Sequence, residues 1–444
     1  MKVFLLLVFS FVSHLTAKAI DQKGTEILQF CDSVYAFAEL QIPFLVENAH
    51  QEYIKNSKQL LCHRANIASR VLLFIYPLWS NWLLEKMGVI QARNKELIMP
   101  LAIDHHTGKM VLGSIYDWRS GFFPGLLWLM YEYSNNISFK NEATKYTQKL
   151  RAASMSSTHD LGFMINDSYG RAYDLIGGTE NKEVIVAAAK TLSKRYNPIV
   201  KSIKSWPSTE VNKFPVIIDN MMNLELLFNA TNLTGDSLYY KIALNHALTT
   251  MKNHFRKDNS CYHIVDYDPQ TGFPIKKPLG NGLHEESIWS RGQSWALYGF
   301  TMCYRYTRDQ RFLNKAREVC QFLLDQDYPT DLIPYWDMSS SDSLTPRDAS
   351  SACIMASALI ELSSYVSSKE QGELINYSYA LLKSLHDNYQ SEIGSNHGFL
   401  LLHSTSLFRG DVEVDVPQIY ADYYYLEAVL RLRNYINHGN IWSN

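Results

Sequence analysis

Two kinds of helix alternate along this chain, and that alternation limits what it can fold into more than any other feature. One set is amphipathic with a charged face, over residues 24–42, 140–156, 182–196, 236–255, 309–326 and 371–389. The other is apolar most of the way round and rich in Gly, Ala, Ser and aromatics, over residues 121–134, 161–176, 216–233, 290–306, 350–366 and 417–436. A helix with one polar face belongs outside a packed assembly, and one apolar nearly all round belongs inside. Six of each in alternation predict six hairpins closed into a ring, an all-α (α/α)6 barrel. The spacing is irregular and no consensus recurs, which favours a closed toroid over an open solenoid. Residues 97–119, 259–284 and 394–416 carry strand-like or loop signals, and Tyr262–Pro274 alternates like a hairpin strand ending in a Pro269–Gly272 turn. No Pro/Ser-rich linker interrupts the pattern, so residues 20–444 read as a single domain.

A chain of 444 residues is long for one compact core, but a toroid of this size accommodates it. Its net charge of −2 gives no electrostatic reason to expect nucleic acid or an anionic membrane as partner. The N-terminus reads as a secretory signal over residues 1–19. Lys2 supplies the charge, Val3–Val12 the apolar stretch, and Ala17-Lys18-Ala19 a small-x-small cleavage site. The mature protein then begins near Ile20 and is secreted or periplasmic; an uncleaved anchor is the alternative. Disulfides are possible in that compartment. Of the six cysteines, however, Cys303, Cys320 and Cys353 fall in helical apolar patterns, where a free buried thiol is common.

In such a ring the loops that enter the inner helices open on one face, and the unusual polar residues collect there. His159-Asp160 lead into the second inner helix, Asp219-Asn220 start the third, and Arg291 and Gln293 the fourth. Arg347-Asp348 precede the fifth and Gln418 begins the sixth. Ser290 can cap the fourth helix, whose stripe Ala296, Phe300, Cys303, Tyr304 runs into a core. An arginine in a first turn meets the positive end of the helix dipole, so Arg291 predicts an anion held there jointly by guanidinium and backbone N–H groups. Trp289 and Trp295 flank it with flat faces that can stack on sugar rings; a buried Trp pair beside a solvated Arg is the plain alternative.

Asp160 and Asp219 stand at the mouths of neighbouring inner helices. Asp219 lies between apolar Val216–Ile218 and Met221-Met222, surroundings that desolvate a carboxyl and raise its pKa, as does a second carboxylate nearby. Such a group can donate a proton near neutral pH and take one back from water. His159 reads as an orienting partner of Asp160, and His263 as a second histidine able to face the cleft. Asp266 and Asp268 signal a turn more than a calcium loop. There is no Cys-x-x-Cys pair, zinc helix, nucleophile elbow or phosphate-cradling loop, so no metal or cofactor is expected.

His159-Asp160-Leu161-Gly162-Phe163, Asp219-Asn220-Met221-Met222-Asn223-Leu224, Tyr262-His263 and the run Trp289–Gly299 together resemble unsaturated glucuronyl hydrolases, glycoside hydrolase family 88. Pro346–Ser350, Glu413–Pro417 and Tyr420–Tyr424 are similar too, so the likeness spans about Asp117 to Arg433. It implies an (α/α)6 barrel acting on small oligosaccharides whose non-reducing end is a 4,5-unsaturated uronic acid. It implies protonation at C4 of the enol ether and hydration at C5, with Asp219 as acid/base and Asp160 as its tuning partner. His159, His263, Arg291, Trp289, Trp295 and Gln293 fall at substrate-holding positions, with Arg291 as a carboxylate clamp. Asn281 replaces an expected Gln and Phe123 stands at what can be a Trp position. The stretch 403–409 departs from a shorter serine-rich loop, which leaves substrate preference open. The rival readings are an unsaturated rhamnogalacturonyl hydrolase acting on pectin fragments, a non-catalytic sugar-binding toroid, and an inverting glycosidase using Glu285 or Glu286.

Overall fold

The computed structural model describes residues 2–64, 97–340, 342 and 344–442, with side chains from residue 22 to 56 in its first helix. The leader expected over residues 1–19, and Cys62, lie outside the described side chains. Helix α1 (Lys2–Arg64) is followed by the hairpin β1 (Leu97–Ile103) and β2 (Met110–Ser114). Five inner–outer helix pairs come next. They are α2 (Phe122–Ser134) with α3 (Ile137–Lys149), and a π-helix (Gly162–Gly170) running into α4 (Arg171–Ile176) with α5 (Thr179–Ser193). A 3-10 turn (Ile218–Asn223) runs into α6 (Leu224–Thr234) with α7 (Ser237–Asn253). The last are α8 (Ser290–Thr307) with α9 (Gln310–Leu324), and α10 (Ala349–Ser363) with α11 (Ser368–Tyr389). Helix α12 (Ile419–His438) is the sixth inner helix, and α1 lies outside it.

Short turns make these pairs antiparallel. Inner helices α2 and α8 end on left-handed Asn135 and Arg308, and α6 on Gly235, each sealing the last carbonyls with its own N–H. The next residue then caps the outer helix: Asn136 accepts from Ser138 N–H, Asp236 from Leu238 N–H and Asp309 from Arg311 N–H. Two caps thus share a two-residue link, which leaves no slack between the layers. The inner helices pack in order around the ring, α8 on α10, α10 on α12 and α12 on α2. Closure is sealed where Tyr35 of α1 donates to the Leu426 carbonyl of α12, at 3.0 Å in the core. Five cysteines among the described residues, including Cys303, Cys320 and Cys353, are free and buried.

The structure differs from the sequence pattern where the chemistry will fall. After the short antiparallel pair β3 (Tyr196–Asn197) and β4 (Ser202–Ile203), the third inner segment opens as strand β5 (Pro215–Ile217), which pairs antiparallel with β6 (Ile264–Tyr267), itself paired with β7 (Pro274–Lys276). This sheet joins segments about fifty residues apart, a contact no local periodicity encodes. The link 394–416 holds isolated bridges and two 3-10 turns but no strand.

The 399–402 segment hangs on a buried carboxyl. Both Asp422 oxygens accept backbone N–H groups, from Leu400 at 2.9 Å and Leu401 at 3.0 Å. Burial nonetheless pushes its carboxyl up to about 8. A carboxyl raised on folding binds its proton more tightly in the native state. Its contribution is therefore complete below the unfolded pKa, near 4, and is lost as pH rises toward 8. Asp422→Asn is expected to remove that slope from the melting temperature between pH 4 and 8. At the acid end of that range, where the wild-type carboxyl contributes fully, it lowers stability by about 1–3 kcal/mol, because an amide has one acceptor for two N–H groups. Thermal melts across the pH series read both effects, and an unchanged slope contradicts the assignment.

Candidate active site

Asp219 occupies the first turn of the 3-10 segment that β5 feeds. The β5–β6 pairing sets Ile217 opposite Ile264, and Ile218 N–H donates to the His263 carbonyl at 3.0 Å. That register brings the His263 ring to Asp219, with Nε2 3.3 Å from Asp219 Oδ2. Asn281 N–H donates to His263 Nδ1 at 2.7 Å, so the neutral imidazole carries its proton on Nε2, facing the carboxylate. Gly280 makes this approach possible, because a Cβ there would lie 2.1 Å from His263 Nδ1. The Nε2–Oδ2 contact is out of line for a hydrogen bond, and Asp219 Oδ2 is buried without a hydrogen-bond partner.

Asp160 enters the same cleft from the residue before the π-helix. The π-helix crosses the Asp219 segment so closely that a Cβ on Gly162 would meet Asn223 Cα at 2.4 Å. Asn223 joins the two elements: its Oδ1 accepts Phe163 N–H at 3.1 Å and its Nδ2 donates to Asp160 Oδ1 at 3.5 Å. His159 Nε2 lies 3.2 Å from that oxygen, and Thr158 Oγ1 donates to Oδ2 at 3.4 Å. Burial pushes the Asp160 carboxyl up, His159 pulls it back and the Asp219 charge raises it again. Desolvation of a carboxyl in this cleft, which the sequence suggested at Asp219, acts on Asp160. Both side chains keep a small opening to solvent, 13% for Asp160 and 16% for Asp219.

Several residues singled out in the sequence sit elsewhere. Arg291 is 3% exposed and its anion is internal: Nη1 donates to Asp348 Oδ2 at 2.7 Å, to Ser350 Oγ at 3.2 Å and to the Thr405 carbonyl at 2.8 Å, and Nη2 to the Ser406 carbonyl. The reading of Arg291 as a substrate clamp is corrected accordingly, because a protein carboxylate supplies the counter-charge the helix mouth called for. Gln293 is likewise spent inside, accepting from Cys261 N–H and donating to the Cys261 and Trp289 carbonyls. Trp295 is fully buried between Phe163 and Tyr424, so it is a core residue and no sugar platform. Phe123 points outward to Tyr146 of α3, away from the cleft. Ser290 is the first helical residue and donates to the Trp336 carbonyl, so Trp289 takes the cap position without a side-chain cap bond. Trp289 is buried against His263, ring centroids 4.7 Å apart, and backs the site.

The cleft also uses residues that periodicity passes over. Asn223 is one. Trp206 is another, half-buried in a loop with its edge toward the His159 ring at 5.9 Å. Half-buried Trp118 tilts on Tyr420 at 5.3 Å and lies in the loop that enters α2. A Trp-Pro pair between polar stretches was the visible signal for Trp206. Over this rim lies the 404–416 loop, tied down by Arg119 to Glu413 at 2.5 Å and by Arg409 to the Gly280 carbonyl at 2.7 Å. Asp411 of the same loop pairs with His105 at 2.9 Å and His106 at 3.1 Å. Val414 N–H donates to His105 Nδ1, which keeps the proton on Nε2 and so on the nitrogen aimed at Asp411.

Two carboxyls at one mouth of an all-helical toroid define the class, a six-hairpin glycosidase. The chain belongs to Glycosyl Hydrolase Family 88, whose model matches residues 95–382. It is 42% identical over 326 residues to an unsaturated glucuronyl hydrolase of Formosa agariphila, covering 72% of this chain and 81% of that protein. It is 33% identical to an unsaturated chondroitin disaccharide hydrolase of Streptococcus pneumoniae, covering 71% and 81%. Among solved structures, an unsaturated glucuronyl hydrolase specific for heparin superposes with a TM-score of 0.74 at 37% identity, covering 81% of this chain and 97% of that one. The unsaturated glucuronyl hydrolase of Bacillus sp. GL1, responsible for the degradation of glycosaminoglycan, gives 0.71 at 28% identity, covering 79% and 92%.

The internal counter-ion gives a stability test. Asp348→Ala is expected to cost about 3–5 kcal/mol, because it strands a buried guanidinium. Denaturant melts measure it, and a loss below about 1 kcal/mol contradicts the pairing. Gly162→Ala is expected to cost about 1–3 kcal/mol by overpacking against Asn223 and to lower kcat beyond what the folded fraction explains. Turnover normalised to folded protein separates the two losses.

Proposed function

We propose that the protein removes the 4,5-unsaturated glucuronyl residue from the non-reducing end of lyase-generated glycosaminoglycan oligosaccharides. The observation that carries the roles is the unequal bonding of the two carboxyls. Asp160 is held by His159, Asn223 and Thr158, whereas Asp219 Oδ2 is a buried oxygen with no hydrogen-bond partner. A fixed group tunes; an unpartnered oxygen transfers. Two neighbouring carboxyls favour retaining a proton: burial is what chiefly raises Asp160, His159 pulls it back and the Asp219 charge raises it further.

In the proposed reaction Asp219 delivers the shared proton to C4 of the C4=C5 enol ether. The ring oxygen stabilises the positive charge left at C5. Water adds at C5 and gives its proton to the Asp219 carboxylate, restoring the acid. The C5 hemiketal then opens, and the hemiacetal left at C1 releases the remaining sugar. No carboxylate need approach the anomeric carbon. Glu286, one candidate for an inverting base, is exposed and bonded to Arg256 and Tyr262 instead.

Asp219→Asn is expected to lower kcat by about 10²–10⁴-fold on an unsaturated chondroitin or heparin disaccharide while leaving the melting temperature within a few degrees. Loss of the substrate's conjugated ultraviolet absorbance follows the reaction. Near-full activity removes Asp219 as the acid. Asp160→Asn takes away the carboxyl that burial raises, so the limb of the kcat/KM profile carried by that group is expected to disappear. We also propose that residues 1–19 export the protein to the compartment where lyases leave their products. N-terminal sequencing of the secreted protein is expected to begin near Ile20.

A further inference from the structure

Beside the cleft, across the Trp206-Pro207 wall, a groove of about 420 Å³ is lined by Lys194, Arg195, Lys204, Tyr196, Pro207 and Phe214, and no carboxylate faces it. In a chain whose net charge is only −2, three cations share this concavity. Their donors meet neutral oxygens. Arg195 donates from Nε to the Lys204 carbonyl at 2.7 Å, from Nη2 to the Ser205 carbonyl at 2.8 Å and from Nη1 to the Ser157 carbonyl at 2.5 Å. Lys204 Nζ donates to Ser208 Oγ and lies 5.4 Å over the Phe214 ring. Asp266 is near enough for its charge to reach Lys204, but both of its oxygens accept backbone N–H groups, from Lys213 and Phe214.

Two facts make this more than a solvated basic face. First, the amine is uncomfortable: burial and the Arg195 charge both push the Lys204 ammonium down. An anion in the groove relieves that repulsion, which Asp266 offsets only in part from outside the groove's lining. Second, the groove is built onto the active site. Arg195 clamps the carbonyl of Ser157, three residues before Asp160, and feels the Asp160 charge, while Trp206 packs its edge on His159. Tyr196, Pro198 and Pro207 add flat apolar walls of the kind that take a sugar ring.

We propose that this groove is a distal subsite for the sulfate ester of a sugar residue beyond the disaccharide that spans the cleft, held by Lys194 and Lys204 with Arg195 as the fixed charge beneath. The proposal rests on the glycosaminoglycan reading above and names a preference within it: sulfated tetrasaccharides over unsulfated disaccharides. Neither lysine belongs to the reacting centre.

The test uses the full chain and the variant Lys194→Ala/Lys204→Ala. Wild-type protein is expected to turn over an unsaturated sulfated tetrasaccharide with a lower KM than the unsulfated disaccharide. The variant is expected to raise the tetrasaccharide KM about tenfold, as loss of charge-assisted hydrogen bonds predicts, and to leave disaccharide kcat and KM within about twofold. Equal effects on both substrates, or none on either, overturn the subsite. Titration calorimetry with a saturated sulfated tetrasaccharide, which cannot be hydrolysed by enol-ether protonation, gives a second readout. Lysine-dependent binding of that probe, with no turnover of any unsaturated disaccharide, upholds the groove and refutes the proposed activity. Normal disaccharide turnover with lysine-independent binding refutes the groove alone.

Discussion

The close crossing of the π-helix over the Asp219 segment, at Gly162 and Asn223, is the constraint on which the site depends. With no side chain at 162, two inner elements approach within contact of backbone on backbone, and one amide then serves both. Asn223 spends its oxygen on the π-helix and its nitrogen on Asp160, so the positions of the helix and of the carboxyl are not independent. A π-helix has the wider turn that lets its first residues lean toward a neighbour, and such turns recur at functional sites. The distance between the two carboxyls is thereby set by backbone packing, which side-chain rotation does not readily undo.

A second buried device holds the opposite wall. Arg291 and Asp348 join the mouths of α8 and α10, and the same guanidinium ties the Thr405 and Ser406 carbonyls. Its faces lie against Trp289 at 4.8 Å and Tyr420 at 5.1 Å. The charge that a helix N-terminus disfavours is tolerated because an acid from the next inner helix neutralises it. What this holds in place is the 404–416 loop over the rim, which Arg119, Arg409 and the His105–Asp411 pair fasten from other sides. The active face is a collar of ion pairs around two carboxyls with few partners of opposite charge. Lys194, Arg195 and Lys204 line a groove beside that collar, next to the Trp206–His159 contact.

Legibility in the sequence followed the range of the interaction. The alternating helices, the hairpin at 264–276 and its Asp268 turn were readable because each rests on contacts within a few residues. Asp160 and Asp219 stood out as carboxyls at helix mouths, and His263 as a histidine in a strand. By contrast, the wrong assignments were all residues whose type fits a sugar site but whose direction is set by a partner far away in sequence. Arg291 meets an acid 57 positions on, Gln293 turns back to Cys261, Trp295 faces Tyr424 and Phe123 faces Tyr146. Asn223 and Trp206 were passed over for the converse reason: nothing in their local pattern marks them, and their roles exist only across an interface.

By itself the sequence determined the ring, because the alternation of polar-faced and apolar helices leaves few other ways to bury their apolar surfaces. It also determined the cast of acids that the reaction can use. Tertiary structure alone decided which side chains reach the cleft, which carboxyl is desolvated and which is left with an unpartnered oxygen. Those properties depend on dielectric surroundings and on hydrogen bonds between segments about sixty residues apart, and neither is encoded in any local stretch of chain.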